Sequence, residues 1–132
     1  MIYVDTSAFV KLVWEEVETP ALKRYLVDRA DQSMVSSALL AIEARRTVLR
    51  DDPMQLPRAD LMLTRVGLVG ITDAIVESAS RLPEPGLRSL DAVHLATALL
   101  LGSDIEVLLS YDKRLLAATA TYSVATVSPG LI

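Results

Sequence analysis

The residues of this chain that are best suited to chemistry are three aspartates and one glutamate. Asp5 and Asp112 each follow a predicted strand and precede a predicted helix, and Asp91 lies in the first turn of a helix after a proline-rich loop. Glu43 lies one turn beyond Leu39, on or beside the inward face of its helix. Carboxylates that lie close together raise one another's pKa unless a cation balances them. The pattern therefore predicts an acidic site that binds a divalent metal ion.

Each of these residues also has a structural interpretation. Asp5 or Thr6 can cap the first helix, because Asp and Thr are favoured at helix N-caps. The helix dipole favours an acidic residue in any first turn by about 0.3–1 kcal/mol. Glu43 can pair with Arg46, three residues on, or face solvent. Asp73 also follows a strand and opens a helix, and we assign it to capping.

Three further polar residues are candidates for supporting roles. The hydroxyls of Thr6 and Ser110 can orient a carboxylate or a metal-bound water, although both can equally bond to the backbone of a turn. His94 follows Asp91 by one turn of an apolar helix. We predict a structural or supporting role for this histidine.

Composition limits the kind of metal site. The chain has no cysteine and one histidine, which excludes disulfides, thiolate zinc sites and histidine-rich sites. Oxygen ligands favour a hard cation such as Mg²⁺ or Mn²⁺, as one or two ions. The net charge of −4 argues against a basic coat for nucleic acid. If four of the 17 acidic residues form the site, the other 13 balance the 13 Lys and Arg residues, so a phosphate substrate remains compatible.

The length of 132 residues suits one domain, residues 1–132, with a packed core. The longest strongly apolar run, residues 95–101, is far shorter than the roughly 20 residues that cross a bilayer. The first residues lack the features of a secretory leader. We therefore expect a cytoplasmic protein that does not associate with membranes.

Apolar runs and helical periodicities alternate along the chain. Predicted strands cover residues 2–4, 34–36, 68–71, 105–109 and 124–127. Predicted helices cover residues 8–14, a segment opened by Thr19, a segment from a cap at Ser36 or Ser37 to Arg50, residues 57–63, a segment opened by Thr72, residues 90–101 capped by Ser89, and residues 113–119. Leu39, Leu40 and Ile42 are predicted to face inward. This alternation predicts an α/β fold of three layers around a parallel sheet of about five strands.

Four segments resemble the acidic motifs of the PIN-domain ribonucleases, in the order that this family has them. They are IYVDTS, the glutamate in SSALLAIEARR, SLDAVHLATA and LLSYDKRL. The chain is most similar to the VapC-type toxins of bacterial and archaeal toxin–antitoxin pairs, from Ile2 to about Leu115. The resemblance implies a PIN-like α/β/α fold with sheet order 3-2-1-4-5, in which the first strand is central.

The resemblance also implies a metal-dependent ribonuclease that hydrolyses RNA phosphodiester bonds. Asp5, Glu43, Asp91 and Asp112 would surround the Mg²⁺ or Mn²⁺ ion. We expect Asp5 and Asp91 to be ligands, directly or through water, with Glu43 and Asp112 completing the shell or orienting the water. The resemblance further implies a toxin that forms a homodimer and is neutralised by a small antitoxin protein, which buries apolar surface and inserts a basic side chain into the acidic site.

Basic residues near the four motifs are candidates for binding RNA phosphates. They are Arg45, Arg46, Arg88, Lys113 and Arg114. The chain has four tyrosines, one tryptophan and one phenylalanine, too few for a broad base-stacking platform. We therefore expect recognition of RNA shape and of a few exposed bases.

Partner docking is predicted where short helices carry an excess of apolar residues. The candidate surfaces are the stretch with Phe9, Val13 and Trp14 and the helix after Pro57. Plain core packing explains the same residues equally well.

Two other functions fit parts of the sequence. Aspartate-dependent phosphatases also have an aspartate after the first strand, but they require a second aspartate two positions on, where Ser7 stands. A non-catalytic PIN-like binding module would keep the fold without the acidic residues. The presence of all four acidic residues favours an enzyme.

Overall fold

A computed structural model of the protein describes residues 1–131. Within this range the strands are β1 (Ile2–Val4), β2 (Met34–Ser37), β3 (Val66–Val69), β4 (Val107–Leu109) and β5 (Thr126–Val127). The helices are α1 (Thr6–Val13), α2 (Thr19–Val27), α3 (Leu39–Asp51), α4 (Leu56–Leu63), α5 (Asp73–Ser80), α6 (Ser89–Leu101) and α7 (Lys113–Thr119). Short 3₁₀ turns cover Pro53–Gln55 and Gly102–Asp104.

The strands form one parallel sheet in the order β3-β2-β1-β4-β5. In the register of β1 with its two neighbours, Ile2 lies opposite Met34 and Val107. All three residues of β1 are buried, as expected for a central parallel strand that is covered on both faces. The predicted sheet order and the central place of the first strand are confirmed.

Helices cover both faces of the sheet. Ile2 and Val4 face a core built from α1, α2, α3 and α4. Tyr3 points to the opposite face, where its neighbours include Leu95 of α6 and Leu115 of α7. α5 packs on the outside of α6. This alternation of side chains along β1 gives the predicted three-layer α/β/α arrangement.

Three predicted strand boundaries differ from the structure. β3 begins at Val66 rather than at residue 68, because Val66 is buried and pairs with Met34. Leu68 and Ile71 are exposed. β4 and β5 are shorter than predicted, at Val107–Leu109 and Thr126–Val127.

Two details of the helices also differ. Ile42 was predicted to face inward, but it is 62% exposed, because the buried stripe of α3 follows Leu40, Ala44 and Val48 at four-residue spacing. Ser89 is the first residue of α6 and not its cap, since Arg88 takes the N-cap position without a side-chain bond.

The stretch proposed from sequence as a docking surface lies mostly in the core. Phe9 and Val13 are buried, and both pack in the cluster that covers β1 from the α1 side. Trp14 only partly faces solvent. The prediction of a docking surface at Phe9 and Val13 is therefore wrong, because core packing already occupies these side chains.

In the part of the chain that the structure describes, the helices are too short or too polar to cross a membrane.

Candidate active site

Three of the four acidic residues lie where a strand ends or a helix begins, and Glu43 lies within α3. Asp5 follows β1, and its backbone N–H donates to Leu109 at the end of β4, with 3.3 Å between nitrogen and oxygen. Asp91 lies in the first turn of α6, and Asp112 is the N-cap of α7. This edge is where parallel α/β sheets bind their ligands.

Asp5 is buried and closely held. Its Oδ1 accepts a hydrogen bond from the backbone N–H of Ala8 at 3.0 Å, which confirms the capping interpretation. The hydroxyl of Ser7 lies 2.7 Å from the same oxygen, and the hydroxyl of Ser110 donates to Oδ2 at 2.5 Å. Burial raises the pKa of Asp5 even though these hydrogen bonds favour the ionised form.

Two serines connect the ends of β1 and β4. The hydroxyl oxygen of Ser7 accepts from the backbone N–H of Tyr111 at 2.9 Å. The hydroxyl oxygen of Ser110 accepts from the N–H of Asp112 at 3.0 Å. Ser110 therefore links Asp5 to the segment that carries Asp112. The sequence pattern did not identify Ser7 as a site residue; its position two residues after Asp5 was the available signal.

Glu43 is held by residues from two other elements. Thr6 of α1 donates to Glu43 Oε1 at 2.7 Å, and His94 Nε2 of α6 lies 2.7 Å from the same oxygen. Burial favours the neutral form, but the bonds from His94 and Thr6 outweigh it and lower the pKa of Glu43. Within the described residues, Glu43 makes no ion pair with Arg46.

Asp91 and Asp112 form the part of the site in which negative charge is least balanced. Burial and the nearby negative charge of Asp112 raise the pKa of Asp91. One oxygen of Asp91, Oδ2, is buried and has no hydrogen-bond partner in residues 1–131. A carboxylate in this state favours a proton or a cation.

The four acidic residues are therefore arranged as three subsites: Asp5 with its serines, Glu43 with His94, and Asp91 with Asp112. As they stand in the described range 1–131, no three His, Asp or Glu side chains form a group that could hold a metal ion. The negative charge of Asp112 nevertheless opposes ionisation of both Glu43 and Asp91, so the subsites share one electrostatic environment.

A sequence model described as the PIN domain matches residues 2–121. The chain belongs to the PIN-domain family. It is 42% identical, over 98% of each chain, to Ribonuclease VapC35 of Mycobacterium tuberculosis, a PIN protein of the VapC type. Among solved structures, a toxin–antitoxin complex from Klebsiella pneumoniae matches with a TM-score of 0.71 and 20% identity over 98% of each chain. VapC20 of M. tuberculosis, described as a sarcin–ricin loop cleaving toxin, also matches with a TM-score of 0.71, at 21% identity over 89% of this chain and 95% of that one. These two structures support the fold.

The candidate RNA-binding residues of this PIN domain occupy different surroundings. Lys113 and Arg114 directly follow Asp112 and line a cavity of about 340 Å³ with Leu87 and Glu84. Arg88 is exposed at the start of α6. Arg46 is exposed one turn after Glu43.

Arg45 differs from these candidates. Its guanidinium Nε donates to Asp60 Oδ1 of α4 at 2.9 Å. Two residues along a helix correspond to about 200° of rotation, so Arg45 lies on the side of α3 away from Glu43. We therefore leave Arg45 out of the proposed RNA-binding set.

Proposed function

We propose that residues 1–132 form a single VapC-type nuclease domain that cleaves RNA phosphodiester bonds with a divalent metal ion and acts as the toxin of a toxin–antitoxin pair. The observation that carries this proposal is the Asp91–Asp112 pair, which has no compensating cation among the described side chains and whose negative charge also acts on Glu43. The names of the relatives, ribonucleases of the VapC type, support the same reaction.

The donor set suits a hydrated hard cation. Within residues 1–131, Asp91 Oδ2 lacks a hydrogen-bond partner, and Thr6 and His94 both bind Oε1 of Glu43 rather than its other oxygen. Mg²⁺ keeps several waters and needs only one or two carboxylates plus phosphate oxygens. Asp91 and Asp112 would hold Mg²⁺ or Mn²⁺, with Glu43 and Asp5 as direct or water-bridged members of the shell. Asp112 replaces Asp5 in the pair expected from sequence, because Ser7, Ser110 and the Ala8 N–H already bind the Asp5 oxygens. A bound ion lowers the pKa of water and stabilises the charge that develops on phosphate.

Neighbouring side chains and one backbone N–H hold the carboxylates of the site in place. Ser7, Ser110 and the Ala8 N–H keep the buried Asp5 carboxylate in one orientation. Thr6 and His94 keep Glu43 directed at the same end of the sheet. Fixed carboxylates lose little freedom when an ion and a substrate phosphate enter, which is how a preorganised site gains rate.

The cationic residues next to Asp112 provide the substrate contacts. Lys113 and Arg114 can bind phosphates that flank the scissile bond, and the cavity that they line with Leu87 has an apolar wall. An unstacked nucleotide can occupy such a cavity, with its base against Leu87 and its phosphate at Arg114. Arg88 and Arg46 extend the basic rim on the other sides of the site.

The antitoxin is proposed to dock on a groove between α1, α2 and α4. Its volume is about 390 Å³, and its apolar wall includes Leu26, Val27 and Met62. Lys23, Arg58 and Arg65 also line the groove, so a partner segment with apolar and acidic side chains would be complementary. Val27 is 72% exposed, as expected for a side chain that a partner covers.

The homodimer is proposed to form through the outer faces of α5 and α6. Val76 of α5 and Leu90 and Leu100 of α6 are large apolar side chains that are exposed. The two helices pack against each other, so these side chains extend one apolar surface. A second copy of the chain would cover it.

The test of the proposed function is cleavage of a panel of RNAs with Mg²⁺ or Mn²⁺ and with a chelator. Wild type should cleave in a metal-dependent way, and Asp5→Asn and Asp91→Asn should each lose activity. Metal-dependent cleavage that survives in both variants would show that the site is wrong. Hydrolysis of small phosphate esters with a trapped phospho-aspartate would instead support the phosphatase alternative.

A further inference from the structure

A continuous row of hydrogen bonds leads from the backbone of β2 to Glu43. The N–H of Ser37 donates to the Tyr3 hydroxyl oxygen at 3.2 Å. That oxygen lies 2.8 Å from His94 Nδ1, and His94 Nε2 lies 2.7 Å from Glu43 Oε1. Tyr3 is fully buried and His94 is 3% exposed. Substrate therefore has no access to either nitrogen of the imidazole.

The donors and acceptors along this row of hydrogen bonds show which atoms carry hydrogen. An amide N–H can only donate, so the Tyr3 oxygen accepts at Ser37 and keeps its own proton for another partner. Burial raises the pKa of Tyr3, which keeps the hydroxyl protonated. The nearest ring nitrogen is His94 Nδ1. The carboxylate oxygen Glu43 Oε1 can only accept, so His94 Nε2, 2.7 Å away, carries a hydrogen and donates it to Glu43.

Glu43 needs the hydrogen bond from His94 because it comes from a different part of the fold than the other acidic groups. It belongs to α3, on the face of the sheet opposite to α6, and the other acidic groups come from β1, α6 and the start of α7. Its side chain is 21% exposed, and a glutamate has three rotatable side-chain bonds. A donor from α6 therefore fixes Glu43 relative to Asp91, which lies one turn before His94 on the same helix.

We infer that His94 is a positioning residue, which holds Glu43 in one orientation by donating the hydrogen of Nε2 to it, and that the Tyr3 hydroxyl holds the imidazole ring from its other side. This inference rests on the proposed nuclease function for its effect on rate. The Nε2–H donor itself is a property of the free protein and can be measured without RNA or metal.

The first test uses the fact that His94 is the one histidine in the chain. Nitrogen-15 NMR of the full-length wild-type protein should show hydrogen on Nε2. Tyr3→Phe keeps the ring and removes the hydroxyl, and it should shift the Nδ1 resonance. Tyr25→Phe, on α2 in the cluster on the opposite face of the sheet, should leave the spectrum unchanged. A His94 Nε2 without hydrogen in wild type would overturn the inference.

The second test separates positioning from folding and from RNA binding. His94→Leu should lower kcat for RNA cleavage about 10- to 100-fold, with KM within about twofold, and His94→Gln should recover part of kcat because its amide can donate to Glu43. Tyr3→Phe should give a smaller kcat loss in a folded protein. An unchanged kcat in His94→Leu, or no recovery in His94→Gln, would contradict positioning. If wild type does not cleave RNA at all, the proposed function fails while the NMR result still decides whether His94 Nε2 carries the hydrogen.

Discussion

The carboxylates of Asp91 and Asp112 lie at the first turns of adjacent helices, close enough that the negative charge of Asp112 raises the pKa of Asp91. Burial acts in the same direction, and one Asp91 oxygen has no hydrogen-bond partner in the described chain. This pair of carboxylates therefore lowers the stability of the metal-free protein at the place where the proposed ion binds, as is common at functional sites.

Asp91→Asn should stabilise the metal-free protein at neutral pH. Because the folded-state pKa of Asp91 is raised, the folded protein holds a proton more tightly than the unfolded chain does, and its ionisation above that pKa costs stability. The variant should melt at a higher temperature than wild type at pH 7. The difference should shrink as pH falls towards the ordinary pKa of Asp. Thermal unfolding with a chelator, at several pH values, measures this, and a variant that melts lower at pH 7 would contradict it.

Ser110→Ala should destabilise the fold by about 1.5–3 kcal/mol, because it removes a hydrogen bond to the buried Asp5 carboxylate. It also leaves the N–H of Asp112 without its acceptor. Urea unfolding gives the free energy directly. Ser80→Ala is the matched control, since its exposed hydroxyl bonds only to its own helix at Val76, and it should change stability by less than about 0.5 kcal/mol. Equal losses in the two variants would refute the role of Ser110.

Arg114→Ala should weaken RNA binding more than it slows the chemical step. If Arg114 contacts a phosphate, KM should rise several-fold and the salt dependence of binding should become shallower by about one unit of slope. Arg45→Ala is the control, because Arg45 lies on another face of α3 and forms an ion pair with Asp60 of α4. Cleavage kinetics at three salt concentrations distinguish the two residues, and a larger effect in Arg45→Ala would reverse the assignment.

Val27→Asp should weaken binding of the cognate antitoxin by about tenfold or more, because it buries a negative charge in the interface and repels the acidic side chains proposed for the partner. RNA cleavage should stay at the wild-type level, since Val27 lines the groove between α1, α2 and α4.

Leu100→Asp on α6 should instead reduce self-association. Titration calorimetry and sedimentation report the two effects, and loss of both interactions in either variant would argue against two separate surfaces.

Local patterns were sufficient to predict much of the site. The sequence around Asp5 predicts both a buried strand and a cap, and the structure has both, while Asp112 takes the predicted place before α7. The alternation of strands and helices also led to the correct sheet order once the family resemblance was added.

Contacts between distant residues were not visible in those patterns. His94 and Glu43 are 51 positions apart, and their pairing depends on how α3 and α6 pack around the sheet edge. The shift of β3 has a similar cause, because the choice of Val66 over Ile71 depends on which residues β2 can pair with. Ile42 was misplaced since its apolar character alone does not show which side of α3 is covered.

The binding of the metal by Asp91 and Asp112 can be tested by calorimetric titration of Mn²⁺ into wild type and into Asp91→Asn and Asp112→Asn, with RNA cleavage measured on the same samples. Wild type should bind Mn²⁺ and cleave RNA. Each variant should lose about tenfold or more in affinity and lose cleavage, while remaining folded. Wild-type Mn²⁺ affinity together with wild-type cleavage in both variants would contradict the assignment of the metal to this pair of carboxylates.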